Sequence, residues 1–178
     1  MRGFFGIGVE RISKAMNLGN LMRSANAFGA SFFFTVAADI SERSLRHADT
    51  SDAPDQLPVY RFDSVGELLL PRGCQLVGVE LTDEAEALPS FYHPAAAAYV
   101  LGPERGSLSP EMLARCDRVV KIPMKFCVNV GTAGAIVMYD RLLARGRFEH
   151  RATSSLGRPE PRPAHVHGPV RIRSTKKV

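Results

Sequence analysis

Three short stretches of this chain concentrate residue types that handle phosphate and polar ligands. NLGNLMRSANAFG, over Asn17–Gly29, sets Asn17 and Arg23 among apolar residues. LGPERGSLS, over Leu101–Ser109, places the carboxylate of Glu104 between Gly102 and Gly106. IPMKFCVNVGTAGA, over Ile122–Ala135, brings Cys127 and Asn129 to the start of a run of small residues. An arginine keeps its charge at any accessible pH, so it is a poor general base and a good two-pronged clamp for phosphate. Glycines on either side of a carboxylate let backbone approach a ligand closely. Cys127 reads better as a small buried thiol than as a nucleophile. Each stretch also has an ordinary explanation, because a solvated arginine on a helix and a loop carboxylate in water are common.

These residues need elements to position them. Short apolar runs at Phe4–Val9, Ser31–Val36, Gln75–Leu81, Ala97–Leu101 and Arg118–Ile122 read as buried strands. Helical patterns lie between them, at about Leu18–Phe28, Ser41–His47, Ser64–Leu70, Pro110–Arg115 and Val130–Arg145. Such alternation predicts an α/β domain with a mostly parallel sheet flanked by helices. Leu18, Leu21, Met22, Ala25 and Phe28 make one apolar stripe, with Arg23 on the opposite face and Gly29 placed to end the helix. Asn17 could cap that helix, Ser109 with Pro110 reads as the start of another, and Asn129 caps the last. Asp49–Pro58 reads as a loop. Gly6-x-Gly8 lies inside the first strand, with Arg11 where a third glycine would stand, so it is not a dinucleotide fingerprint.

Taken in this order, the three stretches resemble the signature motifs of the SpoU (TrmH-like) branch of the SPOUT RNA methyltransferases. The family pattern Gly-x-Glu-x-x-Gly-Leu-Ser is met at Gly102, Glu104, Gly106, Leu108 and Ser109, with Ser107 as an extra residue. Its Ile-Pro-Met and Ser-Leu-Asn-Val pieces are met at Ile122–Met124 and Cys127–Val130, with Cys127 in place of serine and a shorter spacer. The resemblance covers about residues 3–145 and implies a sheet with a deep C-terminal trefoil knot. It implies methyl transfer from S-adenosyl-L-methionine to a ribose 2′-hydroxyl of RNA, transfer RNA more than ribosomal RNA. It gives catalytic places to Arg23, Asn17, Glu104 and Asn129, with Arg23 favoured as the group that holds the RNA phosphate. It gives the cofactor to Leu101, Gly102, Gly106, Ile122, Met124, Cys127, Val130 and Ala133. It also implies a homodimer whose active site is completed across the interface.

Bulk properties narrow the alternatives. The 178 residues suffice for one domain with a core, and no apolar run approaches the roughly 20 residues that span a bilayer. The N-terminal residues leave no room for a secretory signal, which points to the cytoplasm. Cys74, Cys116 and Cys127 are odd in number and lack CxxC spacing, and His165-x-His167 is a lone pair, so neither disulfides nor a metal are expected. Residues 141–178 carry ten Lys and Arg against two acids, a balance of +8, whereas residues 1–140 balance to −3. The resemblance implies a SpoU-type methyltransferase domain over 1–147, and the charge break sets off a basic tail over 148–178, expected to be mobile. The rival reading is a catalytically decayed RNA-binding module that uses only this tail. A polyanion-binding arm releases counterions on contact with RNA, so deleting Arg151–Val178 should weaken RNA binding and flatten its dependence on salt. An unchanged salt slope in a filter-binding titration would show the arm to be idle.

Overall fold

The computed structural model describes residues 3–40 and 57–146. The helix expected at Ser41–His47, most of the Asp49–Pro58 loop and the basic tail lie outside the described residues. Among the described residues seven strands form one sheet: β1 (Phe4–Glu10), β2 (Phe32–Val36), β3 (Val59–Phe62), β4 (Gln75–Val79), β5 (Glu86–Ala87), β6 (Ala96–Leu101) and β7 (Arg118–Lys121). Their order is β3-β2-β1-β6-β4-β7-β5, and every described pairing is parallel. The central strands are apolar on both faces because parallel sheets are covered on both sides. Ile7, Val9, Phe33 and Tyr99 face one apolar cluster, while Phe34, Ala98 and Val100 face another.

The expected strands are present, with ends shifted by one or two residues. β4 stops at Val79 rather than Leu81 because the Leu81 amide turns onto the carboxylate of Glu80. β3 and β5 carried no apolar run and were not expected; β3 pairs with β2 along Phe33–Val36. Gly6 and Gly8 have a packing reason: a Cβ there would lie 2.2 Å from the Phe32 ring and 2.3 Å from the Phe34 carbonyl oxygen.

Three α-helices are described: α1 (Ala15–Ala27), α2 (Pro110–Arg115) and α3 (Val130–Arg145). α1 buries Leu18, Leu21, Met22 and Ala25, as its periodicity requires. Gly29, at φ +74°, ends it with Gly29 N–H donating to Asn26 O and Ala30 N–H to Ala25 O, the paired closure of a Schellman motif. Asn17 is not its cap. Lys14 occupies that position and Asn17 sits in the first turn with its side chain engaged elsewhere. The stretch Ser64–Leu70 is a turn, not a helix. Its backbone makes only i to i+3 bonds, while the guanidinium of Arg115 takes the carbonyls of Val65 and Leu68.

α3 packs against α1, and Gly134 permits the close crossing, since a Cβ there would lie 2.2 Å from a Leu21 methyl. The other end of α3 is pinned by Arg141. Counted above with the basic arm, Arg141 is 2% exposed and belongs to the core. Its guanidinium donates to Pro94 O (2.6 Å), Ala95 O (2.9 Å), Phe4 O (3.1 Å) and Tyr99 Oη (3.2 Å), and lies 5.2 Å from the Phe5 ring centroid. A charge with no buried carboxylate partner is thus held by carbonyls and ring faces where β1 and β6 begin. His93 extends the cluster, with Nδ1 2.6 Å from Tyr99 Oη and Nε2 2.9 Å from Asp140 Oδ2. Burial lowers the pKa of His93 despite the Asp140 carboxylate, and burial pushes Tyr99 up to about 12. A neutral His93 satisfies both bonds by donating from Nε2 and accepting the Tyr99 proton at Nδ1.

Replacing Arg141 with methionine removes the guanidinium donor shared by Pro94 O, Phe4 O and Tyr99 Oη, and leaves Ala95 O only the Phe4 N–H. The expected cost is about 3 kcal/mol or more in urea unfolding. A loss below about 0.5 kcal/mol, the range of neutral surface changes, would refute the role given to Arg141.

Candidate active site

In parallel sheets ligands bind beyond the carboxyl ends of the strands, and a cavity of the described residues lies there. It encloses about 430 Å³. The last residue of β6, Leu101, contributes with Gly102, Glu104 and Gly106 of the loop after it, and the loop after β7 contributes Ile122, Met124, Cys127 and Asn129. α3 adds Val130 and Ala133, and the start of α1 adds Lys14 and Asn17. Val79, Glu80 and Leu81 complete the wall at the end of β4. Gly102 is tightly packed, because a Cβ would stand 3.0 Å from the Leu108 amide nitrogen. Gly106, at φ +109°, turns the loop where a residue with a Cβ would be strained.

A chain of hydrogen bonds joins the three stretches. Asn129 caps α3 by accepting from the Gly131 N–H (2.8 Å), and its Nδ2 donates to Asn17 Oδ1 (2.9 Å). Asn17 Nδ2 donates in turn to Glu104 Oε1 (3.0 Å). Glu104 also accepts from the backbone N–H of Lys14 (3.1 Å) and of Ser13 (3.5 Å). Burial alone would raise the pKa of Glu104. The bonds from its own backbone, Asn17, Ser13 and Lys14 outweigh it and hold the carboxyl below its ordinary value. Glu104 is therefore an ionised group fixed at the mouth of α1, where the helix dipole also favours negative charge.

The loop carrying Glu104 is itself held by acids on both sides. Glu10, 1% exposed at the end of β1, accepts from Ser109 N–H (2.8 Å) and Ser109 Oγ–H (2.5 Å), while Ser109 Oγ accepts from Met112 N–H at the start of α2. Glu80 accepts from Leu108 N–H (2.8 Å). Arg11 donates to the carbonyl of the extra residue Ser107 (2.7 Å). Sequence reasoning passed over Glu10 and Glu80. The available signal was a lone carboxylate ending an apolar strand, at Val9-Glu10 and again at Val79-Glu80.

Two expected site residues behave differently. Arg23 is exposed on α1 and is not part of the cavity wall. It lies six residues beyond Asn17, about 9 Å along the helix axis. Cys127 lines the cavity but is exposed, contrary to its reading as a buried thiol, because it sits in the loop between β7 and α3 rather than under a helix. Among the described residues no group of three or more His, Cys, Asp or Glu is arranged to hold a metal ion, and no helix is long and apolar enough to cross a membrane.

Comparison with known proteins gives a family and a fold. The model of the SpoU rRNA Methylase family matches residues 5–139. A tRNA (guanosine(18)-2′-O)-methyltransferase of Escherichia coli K12 is 26% identical over 138 residues, covering 74% of this chain and 60% of that protein. A 23S rRNA (guanosine-2′-O-)-methyltransferase of Nitrosomonas europaea is 26% identical over 164 residues, covering 88% and 61%. The SpoU methyltransferase AviRb of Streptomyces viridochromogenes, solved with AdoMet, superposes with a TM-score of 0.71 at 24% identity, covering 82% of this chain and 59% of AviRb. The A. aeolicus TrmH/SpoU tRNA modifying enzyme gives 0.66 at 21% identity, covering 79% and 75%. The chain thus spans about 60% of the length of the bacterial curated relatives cited, and only 9% of a mouse relative, TARBP1.

A carboxyl held below its ordinary pKa stabilises the fold fully above about pH 4.3, the unfolded value for Glu, and loses that contribution as pH falls through the lowered folded value. The stability advantage of the wild type over Glu104→Gln should therefore be greatest near neutrality and shrink below about pH 4. Urea midpoints of the two proteins that stay a constant distance apart from pH 7 to pH 3 would contradict this assignment.

Proposed function

We propose that this chain, which belongs to the SpoU rRNA Methylase family, is an S-adenosylmethionine-dependent RNA methyltransferase acting on a ribose 2′-hydroxyl. The observation that carries this reading is the chain of bonds from Asn129 through Asn17 to Glu104, which gathers three separated stretches around one cavity. The cavity has the size of small-molecule sites, apolar walls at Leu101, Ile122 and Met124, and backbone brought close at Gly102. These features suit an adenosyl group. When bound, S-adenosylmethionine supplies an electrophilic methyl group at its sulfonium.

The protein's own part is positioning. A ribose hydroxyl is a weak nucleophile until its proton is displaced. Glu104, ionised and locked by four neighbouring donors, gives the site a fixed negative charge beside the cofactor loops. Arg23 is assigned to the RNA phosphate, orienting the 2′-hydroxyl while that phosphate takes the proton. Because Arg23 lies outside the cavity wall of its own chain, the reading includes a homodimer in which a second copy brings Arg23 to this cavity. Exposed apolar side chains support a covered face: Met16 on α1 and Tyr139 and Leu143 on α3. The trefoil knot belongs to the same reading and rests on the family to which the chain belongs.

The names of the relatives include both transfer RNA and ribosomal RNA enzymes, and we favour transfer RNA. The rival, a decayed RNA-binding module, draws on Cys127 standing where the family pattern has serine, since a thiol is a weaker donor than a hydroxyl. Incubation of the protein with RNA fractions and labelled cofactor, followed by nucleoside mass spectrometry, should yield a 2′-O-methylnucleoside. Arg23→Ala should lower that yield about 100-fold or more with an unchanged melting temperature. Methylated bases alone, or no incorporation into any fraction, would overturn the reading.

A further inference from the structure

We propose that Glu80 is a cofactor-binding residue that accepts the hydroxyls of the adenosyl ribose, an inference that rests on the methyltransferase reading. The sheet order places β4 between β6 and β7, and the loops after β6 and β7 form the two walls of the cavity. The first residue beyond β4 therefore stands on the floor between those walls, and that residue is Glu80. Its Oε2 lies 3.5 Å from where a Cβ on Gly102 would be, which puts the carboxylate beside the point of closest backbone approach.

The hydrogen-bond inventory singles out the same group. Glu80 Oε1 accepts from Leu81 N–H and Oε2 from Leu108 N–H, each at 2.8 Å. A carboxylate offers about four acceptor positions, so each oxygen keeps one. These bonds fix the carboxylate without exhausting it. The other polar side chains of the cavity wall are committed or unsuited. Glu104 is taken by Asn17, Lys14 and Ser13, Asn17 and Asn129 bond each other, and the Lys14 ammonium has only donors. A vicinal diol presents two donors to two oxygens, and an acid at a strand end meets ribose hydroxyls in the same way in dinucleotide-binding sheets. A site built to bond hydroxyls rejects a ligand that lacks them, because its buried acceptors are left unpaired.

The test uses calorimetry on the full chain with S-adenosylhomocysteine and its 2′,3′-dideoxy counterpart. Wild-type protein should prefer the diol by about tenfold or more. In Glu80→Gln that preference should collapse to within about twofold, the affinity for the diol falling several-fold more than that for the dideoxy ligand. Equal binding of the two ligands by the wild type overturns the proposal without any variant. So does a variant in which both ligands weaken alike, which would leave Glu80 only the task of holding Leu108. A wild type that binds neither ligand removes the methyltransferase reading itself, a result distinct from either of these.

Discussion

An amide side chain can donate at one end and accept at the other, and the organisation of this cavity depends on Asn17 doing both. Its Nδ2 faces Glu104 and its oxygen faces Asn129, so one residue of α1 ties the loop after β6 to the helix after β7. Asn17 is 8% exposed, and its bonds compete little with water. An apolar residue here would leave a carboxylate and a capping asparagine without their shared partner. An aspartate would bring a second negative charge against Glu104.

That arrangement is steady only because the strands beneath it are. β6 carries the Glu104 loop and is flanked by β1 and β4. A glutamate at the end of β1 and one just beyond β4 each accept an amide from the returning part of the same loop, Ser109 for Glu10 and Leu108 for Glu80. Two adjacent backbone amides are thus held from opposite sides. Arg11, in a left-handed conformation at φ +52°, reaches the carbonyl of Ser107 just before them.

The opposite end of the sheet solves a different problem. Arg141 replaces a carboxylate partner with three carbonyls, a phenol and an aromatic face, and thereby fastens the end of α3 to the starts of β1 and β6. α3 is therefore anchored at both ends by polar groups, Asn129 at the cavity and Arg141 at the far side, with Gly134 setting its depth against α1 between them. The small residues at the start of α3 allow that crossing and leave Val130 and Ala133 in the cavity wall.

Local chemistry in the chain was enough to read the α/β class, the five longer strands, the Gly29 helix stop and the caps at Ser109 and Asn129, whereas the cavity residues were implied only by the resemblance of the three stretches to a family. Apolar runs, turn conformations and capping side chains act over a few residues, and their signals are local. Contacts between distant residues left no such trace. The role of Asn17 as a link rather than a cap, the burial of Arg141, the loss of helix at Ser64–Leu70 to the Arg115 guanidinium and the place of Glu80 beneath the cavity all come from strand order. Periodicity gives each element its buried face; which strand lies beside which is decided by long-range packing, and that pairing chose the partners of the polar side chains.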